Sequence, residues 1–121
     1  MRTVYIAGPM TGYIDFNYPA FDHASRVWAD KGWAVLNPAD HFLRDQRLDM
    51  PVYMRGAIHA VLQADALALL PGWENSPGAT MEVILAHRLG LEIYDAITGK
   101  GINVAEVCYA DAHRAWERLE V

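Results

Sequence analysis

The run Ser76-Pro77-Gly78-Ala79-Thr80-Met81-Glu82 places a carboxylate about one turn into a segment whose apolar positions Met81, Ile84, Leu85 and Leu89 recur at helical spacing. An acid there suits two kinds of work. It can complement the positive end of a helix macrodipole, or it can act as a nucleophile beside an anion-binding helix end. Gly78 and Ala79 leave room for a ligand against the backbone, and Ser76 offers a hydroxyl able both to cap the helix and to meet a phosphate. Tyr5 precedes the loop Gly8-Pro9-Met10-Thr11-Gly12, whose glycines let a ligand come close to backbone N–H groups. That loop has neither GxGxxG spacing nor a P-loop lysine, so a plain strand-to-helix turn explains it equally well. Tyr5 is core by default, and alternatively a hydroxyl aimed into the crevice.

Four further candidates carry weaker signals. Asp65 precedes a buried strand, where it either joins the site or satisfies nearby backbone N–H groups. Trp73, next to Glu74 in the loop after that strand, is either a stacking surface for a base or a packing lid. Arg55 and His59 are four apart and share a helical face, an arrangement that is most often solvated. The five histidines show no paired metal-ligand spacing, so neither a metal nor another cofactor is expected.

These residues need elements to hold them. The apolar run Ala66–Leu70, closed by Pro71-Gly72, reads as a strand covered on both faces, and the Ser76 segment follows as a helix ended by Gly90. Thr3–Ala7, Trp33–Leu36 and Leu91–Tyr94 read as further strands. Asn17–Lys31, capped by Asn17, reads as a helix, as do Tyr53–Ala64 and Val104–Leu119. Ala39–Pro51 is polar and reads as a loop with room for a short helical turn; Thr98–Gly101 is a turn. Strand and helix alternate, so the expected fold is α/β with a mainly parallel sheet. A helix entered from the carboxyl end of a parallel strand points its free N–H groups into the ligand crevice of such folds.

The totals bound the rest. At 121 residues the chain is expected to be a single domain, 1–121, and 53% hydrophobic against 21% charged composition makes it globular. A net charge of −5 without a basic stripe argues against a nucleic-acid polymer as partner, though not against one small phosphorylated ligand. The one cysteine, Cys108, rules out an internal disulfide. No apolar run approaches a membrane span, and no signal peptide is visible, so a cytoplasmic location is expected.

VYIAGPMTG near the start, NYPAF at the first helix, NPA after the second strand and QADALALLPGWENSPGATMEVILAHRLG together resemble the nucleoside 2-deoxyribosyltransferase-like superfamily. The resemblance covers roughly residues 3–94. The branch nearest in motif is a set of small phage and bacterial proteins with the GPM, PGWE and GA-x-x-E signatures, related to deoxynucleoside 5′-monophosphate N-glycosidases. It implies a Rossmann-like domain of about five strands that cleaves the base–sugar bond of a nucleoside or nucleotide. It further implies that Glu82 is the catalytic glutamate, that Tyr5 is its strand-one tyrosine, and that Ser76 meets the 5′-phosphate. Gly8, Pro9, Met10, Thr11 and Gly12, with Gly78 and Ala79, would line the sugar or phosphate. The family's aspartate eight residues before Asp65 is absent here; the position is Ala57, expected on the crevice side of its helix.

The expected function is therefore an N-glycosidase acting on a (deoxy)nucleoside 5′-monophosphate through a glutamate nucleophile. A non-catalytic nucleotide-binding or sensing module and a nucleoside deoxyribosyltransferase are the alternatives. The resemblance also implies a homodimer or higher homo-oligomer.

Overall fold

The computed structural model describes residues 1–41 and 49–104. The β-branched and aromatic run Thr3–Ala7 forms β1; β2 is Ala34–Leu36, β3 is Ala66–Leu69 and β4 is Glu92–Asp95. They make one sheet in the order β2-β1-β3-β4, with every neighbouring pair parallel. The helices are α1 (Tyr18–Asp30), the single turn α2 (Pro38–His41), α3 (Met50–Gln63) and α4 (Pro77–Arg88).

The period-two alternation of the central strands sorts the core into two layers. Val4, Ile6, Ala66 and Ala68 face Phe21, Ala24 and Trp28 of α1. Tyr5, Ala7, Leu67 and Leu69 face Ala57, Ala60 and Val61 of α3, and Ala79, Val83 and Ala86 of α4. Alanines on both helices let them lie close to the sheet. Ile6, Leu67 and Val83 are each 0% exposed; full burial of side chains this size stabilises by about 1.5–3 kcal/mol apiece.

The chain leaves β1 toward β2 and returns past it to β3. The strand order therefore reverses between β1 and β3, where ligands of open α/β sheets bind. The loops at that point run from Gly8 to Asn17 and from Leu70 to Ser76. They meet closely: a Cβ on Gly8 would lie 2.7 Å from the Leu70 Cβ.

The expected α/β parallel architecture is present, with differences of detail. Among the described residues the sheet has four strands rather than about five. After β4 the chain turns back and runs antiparallel along its outer edge, with the Asp95 N–H bonded to the Lys100 carbonyl and the Ile102 N–H to the Ile93 carbonyl, each at 2.8 Å. That pairing amounts to an isolated bridge between Tyr94 and Gly101. α3 begins at Met50, ahead of the expected Tyr53, because Pro51 suits a first helical turn. Asn17 does not cap α1 with its side chain. Its Nδ2 donates instead to the Pro9 carbonyl at 2.9 Å, and its backbone ends a left-handed turn made with Asp15 and Phe16. The expected helix Val104–Leu119 lies, beyond Val104, outside the described residues. No helix among the described residues is long and apolar enough to cross a membrane.

Candidate functional site

The pleat of β1 sends Tyr5 toward α3 and α4, where it is fully buried. α4 starts as the sequence suggests: the Ser76 hydroxyl accepts from the Ala79 N–H at 3.3 Å, and Pro77 occupies the first turn. With Ala79, Val83 and Ala86 turned to the sheet, Glu82 falls on the same inward face and is only 5% exposed. The Tyr5 hydroxyl donates to Glu82 Oε2.

Burial dominates the electrostatics of this pair. Removal from water disfavours the charged carboxylate and pushes the Glu82 pKa up to about 8, while the Tyr5 hydrogen bond pulls the other way. The Tyr5 phenol is held well above its ordinary range, first by burial and then by the Glu82 charge, so it remains a donor. Burial thus favours the neutral form of the Glu82 carboxyl well above the usual carboxylate range.

Tyr53 joins this group, and the sequence reading missed it. It lies on the core side of α3, one turn before Ala57, and its hydroxyl donates to Met10 Sδ at 3.2 Å. Burial, then the Glu82 charge, then Tyr18 raise its phenol above the ordinary value. The signal available in the sequence was its four-residue spacing from Ala57 on a single helical face.

The glycine loop runs past the same end of the sheet. Pro9 is buried, Met10 is half-buried against Tyr53, and Thr11 and Gly12 are exposed. Gly72 has φ +87°, and a Cβ there would lie 2.6 Å from the Tyr13 hydroxyl oxygen, so the two crevice loops touch at a position suited to glycine. Gly78 packs toward Met54, whose sulfur would be 3.4 Å from an added Cβ.

Other candidates sit elsewhere. Asp65 is at the amino end of β3, where its Oδ2 accepts from the Thr3 N–H at 2.8 Å, the opposite end of the sheet from the crevice. Arg55 and His59 are exposed, and the His59 ring pairs with the Gln63 amide at 2.9 Å. Trp73 is 8% exposed and belongs to the core layer beneath α4, so it packs rather than offering an open stacking face. Ala57 is 2% exposed in the layer that contains Tyr5, Ala79 and Val83. It therefore stands on the face of α3 turned to the layer of Tyr5, packed as a core alanine.

A cavity of about 270 Å³ opens on the other face of the sheet, between α1 and the ends of β3 and β4, with Tyr13, Asn17, His23, Leu70, Pro71 and Ile97 in its walls. Tyr5, Tyr53 and Glu82, the three groups whose pKa values burial raises most, lie away from that largely apolar cavity, which makes Glu82 the stronger candidate. Among the described residues no group of three or more His, Cys, Asp and Glu side chains could hold a metal.

Comparison with known proteins places these features in a family. The fold is similar to that of a 2-desoxiribosyltransferase from Leishmania mexicana, with a TM-score of 0.62 and 20% identity over 78% of this chain. The chain spans 63% of the length of that protein. No curated protein matches the sequence. Residues 2–95 match the family described as Domain of unknown function (DUF4406). The chain belongs to that family, a member of the nucleoside 2-deoxyribosyltransferase-like superfamily.

Proposed function

We propose that this member of the family is an N-glycosidase that cleaves the base–sugar bond of a (deoxy)nucleoside 5′-monophosphate. The observation that carries the proposal is the buried Glu82–Tyr5 pair beside the β1/β3 crevice. A carboxylate held by a neutral phenol, in surroundings that exclude water, is suited to meet an electron-poor anomeric carbon.

In the proposed reaction the ionised Glu82 oxygen bonds to the anomeric carbon as the C–N bond breaks, its electron pair leaving with the base. The transition state has oxocarbenium character. Water then attacks the glycosyl ester, releasing the sugar phosphate and restoring Glu82. Tyr5 orients the carboxylate throughout. Ser76, Gly78 and Ala79 at the start of α4, with Gly8 to Gly12 opposite, are proposed to take the phosphate and sugar. A second base in place of water would make the same site a transferase.

A second reading, a nucleotide-binding module without turnover, is favoured by one observation: α3 presents a packed alanine at position 57 and no second carboxylate. Incubating the purified protein with a panel of nucleoside monophosphates, and following base release by chromatography, separates the two. Release of any base that stops in the Glu82→Gln protein supports the glycosidase. Binding without release from every member of the panel would favour the module.

Met50, Val52, Leu62 and Met81 are exposed on α3 and α4, which supports the proposal of a homo-oligomer. A monomer in sedimentation at micromolar concentration would remove it.

A further inference from the structure

Three consecutive residues of the loop between β1 and α1 have left-handed backbone: Asp15 (φ +52°, ψ +33°), Phe16 (φ +53°, ψ +28°) and Asn17 (φ +61°, ψ +15°). Asp and Asn visit that region singly, and a phenylalanine rarely does, because its Cβ crowds the following carbonyl. A run of three is stored strain, of the kind that gathers at ligand clamps and switching loops. The two residues just ahead carry a second cost. Ile14 is 89% exposed and Tyr13 46%, so their hydrocarbon is left in water. Both costs belong to one small unit. Asn17 Nδ2 donates to the Pro9 carbonyl at 2.9 Å and draws the ends of the loop together. Within it, the Tyr13 N–H donates to the Met10 carbonyl and the Phe16 N–H to the Tyr13 carbonyl, each at 3.1 Å. Residues 10–16 can therefore shift as one flap without pulling on β1 or α1. There is room for the movement, since a Cβ on Gly12 would meet nothing within 4 Å. The flap stands at the β1/β3 switch point, with Met10 toward Tyr53 and Tyr13 in the wall of the cavity beside α1.

We propose that residues 10–16 are a ligand-operated lid, open and strained in the empty protein, that folds over a ligand in the β1/β3 crevice. Folding returns Asp15 and Phe16 to ordinary backbone conformations and lays Ile14 against the ligand. Closure thus removes both costs together, and what the empty loop had stored is returned as affinity. The left-handed turn is the tense state, and the ligand selects the relaxed one. That the ligand is a nucleoside monophosphate rests on the glycosidase reading; the lid does not.

The test titrates each of the four common 2′-deoxynucleoside 5′-monophosphates by calorimetry into proteins carrying Glu82→Gln, so that none is consumed. Base release is followed separately with Glu82 intact. Asp15→Gly is compared with Asp15→Ala: both remove the carboxylate, and they differ only by a Cβ. The glycine protein is expected to melt higher, because glycine takes the left-handed conformation freely. It is also expected to bind about 5–30-fold more weakly than the alanine protein, since closure then has less strain to release. Ile14→Ser should leave the melting temperature unchanged and weaken binding about tenfold or more. Amide hydrogen exchange across residues 10–17 should slow when the nucleotide is bound. A glycine protein that melts higher but binds as tightly as the alanine protein would place the left-handed turn in both states and overturn the lid. A glycine protein that melts no higher would overturn it too, because no strain is then stored. So would Ile14→Ser that binds normally, even if it weakens self-association, or exchange that ligand leaves unchanged. If these affinity differences appear and no base is released, the glycosidase reading fails and the lid stands. Absence of binding by all four nucleotides overturns both.

Discussion

Among the described residues two tyrosine–glutamate hydrogen bonds stand out, and they behave oppositely. Tyr5 donates to Glu82 in the core layer under α4. Tyr94 donates to Glu92 at the exposed β4 end of the sheet, where Arg2 also reaches the same carboxylate at 2.6 Å. Arg2 in turn lies 4.7 Å from the centre of the Trp33 ring, which packs edge-on to Trp28. Glu92 is held below its ordinary range by hydrogen bonds from Tyr94 and Arg2; Glu82 is pushed up to about 8 by burial. The partner phenol is the same, so it does not decide the outcome. Water and a neighbouring cation do. A carboxylate that water and Arg2 already satisfy is a weak base, whereas one stripped of both holds its proton longer and is the stronger base once ionised.

The largest way to break this contrast is Glu82→Gln. The amide keeps the shape and can still accept from Tyr5, but it cannot form the glycosyl ester. At least ~99% of any base-releasing activity is expected to vanish in a folded protein. Turnover at the wild-type rate would make Glu82 a helix-end residue and leave the two pairs equivalent.

The pH profile sharpens the difference. Ionised Glu82 is the reactive form, so kcat/KM should climb about tenfold per pH unit below about 8 and flatten above it. Stability should run the other way. The folded pKa lies above the unfolded value of 4.5, so between those two values the folded state holds the proton more tightly. Its advantage then falls as pH rises, by up to about 1.4 kcal/mol per unit. Denaturant melts of wild type and Glu82→Gln from pH 5 to 9 would expose that slope as the difference between the two curves. Parallel curves would mean that Glu82 is solvated after all.

Ala57→Asp asks whether the buried layer accepts a second carboxyl. Position 57 is packed against Tyr5 and Val83, so the new group would be neutral or unpaired in the core, costing about 2 kcal/mol or more. A lowered melting temperature with no faster base release is expected. A stable variant that releases base faster would show that the crevice extends to α3 at this level.

The smallest effect belongs to the exposed pair. Arg2→Ala or Glu92→Gln should leave base release unchanged and move the melting temperature only slightly, the shift fading in added salt. A large, salt-resistant loss would show that the amino end of the sheet is held by charge rather than by its aromatic cluster.

What could be read from the chain alone followed the range of the interaction. Ser76 as cap, Pro77 in the first turn and Glu82 on the inward side of α4 are set by residues within a few positions, and the structure has them so. The β1 and β3 runs were legible for the same reason. Tyr53 was not, because its meeting with Met10 depends on how α3 packs across 43 positions of sequence. Asn17 looked like a cap, but its side chain is drawn to Pro9 while its backbone turns left-handed. Asp65 could equally well have served the crevice; only the strand direction shows it at the far end. The motif match implied about five strands; the described residues hold four, with an isolated bridge beside the last.

That returning segment has a consequence for how the protein avoids its own copies. An uncovered strand edge is a template on which another chain can add, the usual route to fibrous aggregates. Here the outward carbonyl of Ile93 and N–H of Asp95 are already taken by Ile102 and Lys100. The opposite margin, β2, is only three residues long. Among the described residues neither border offers a run of free backbone long enough to propagate a ladder, which disfavours growth of the sheet from either side.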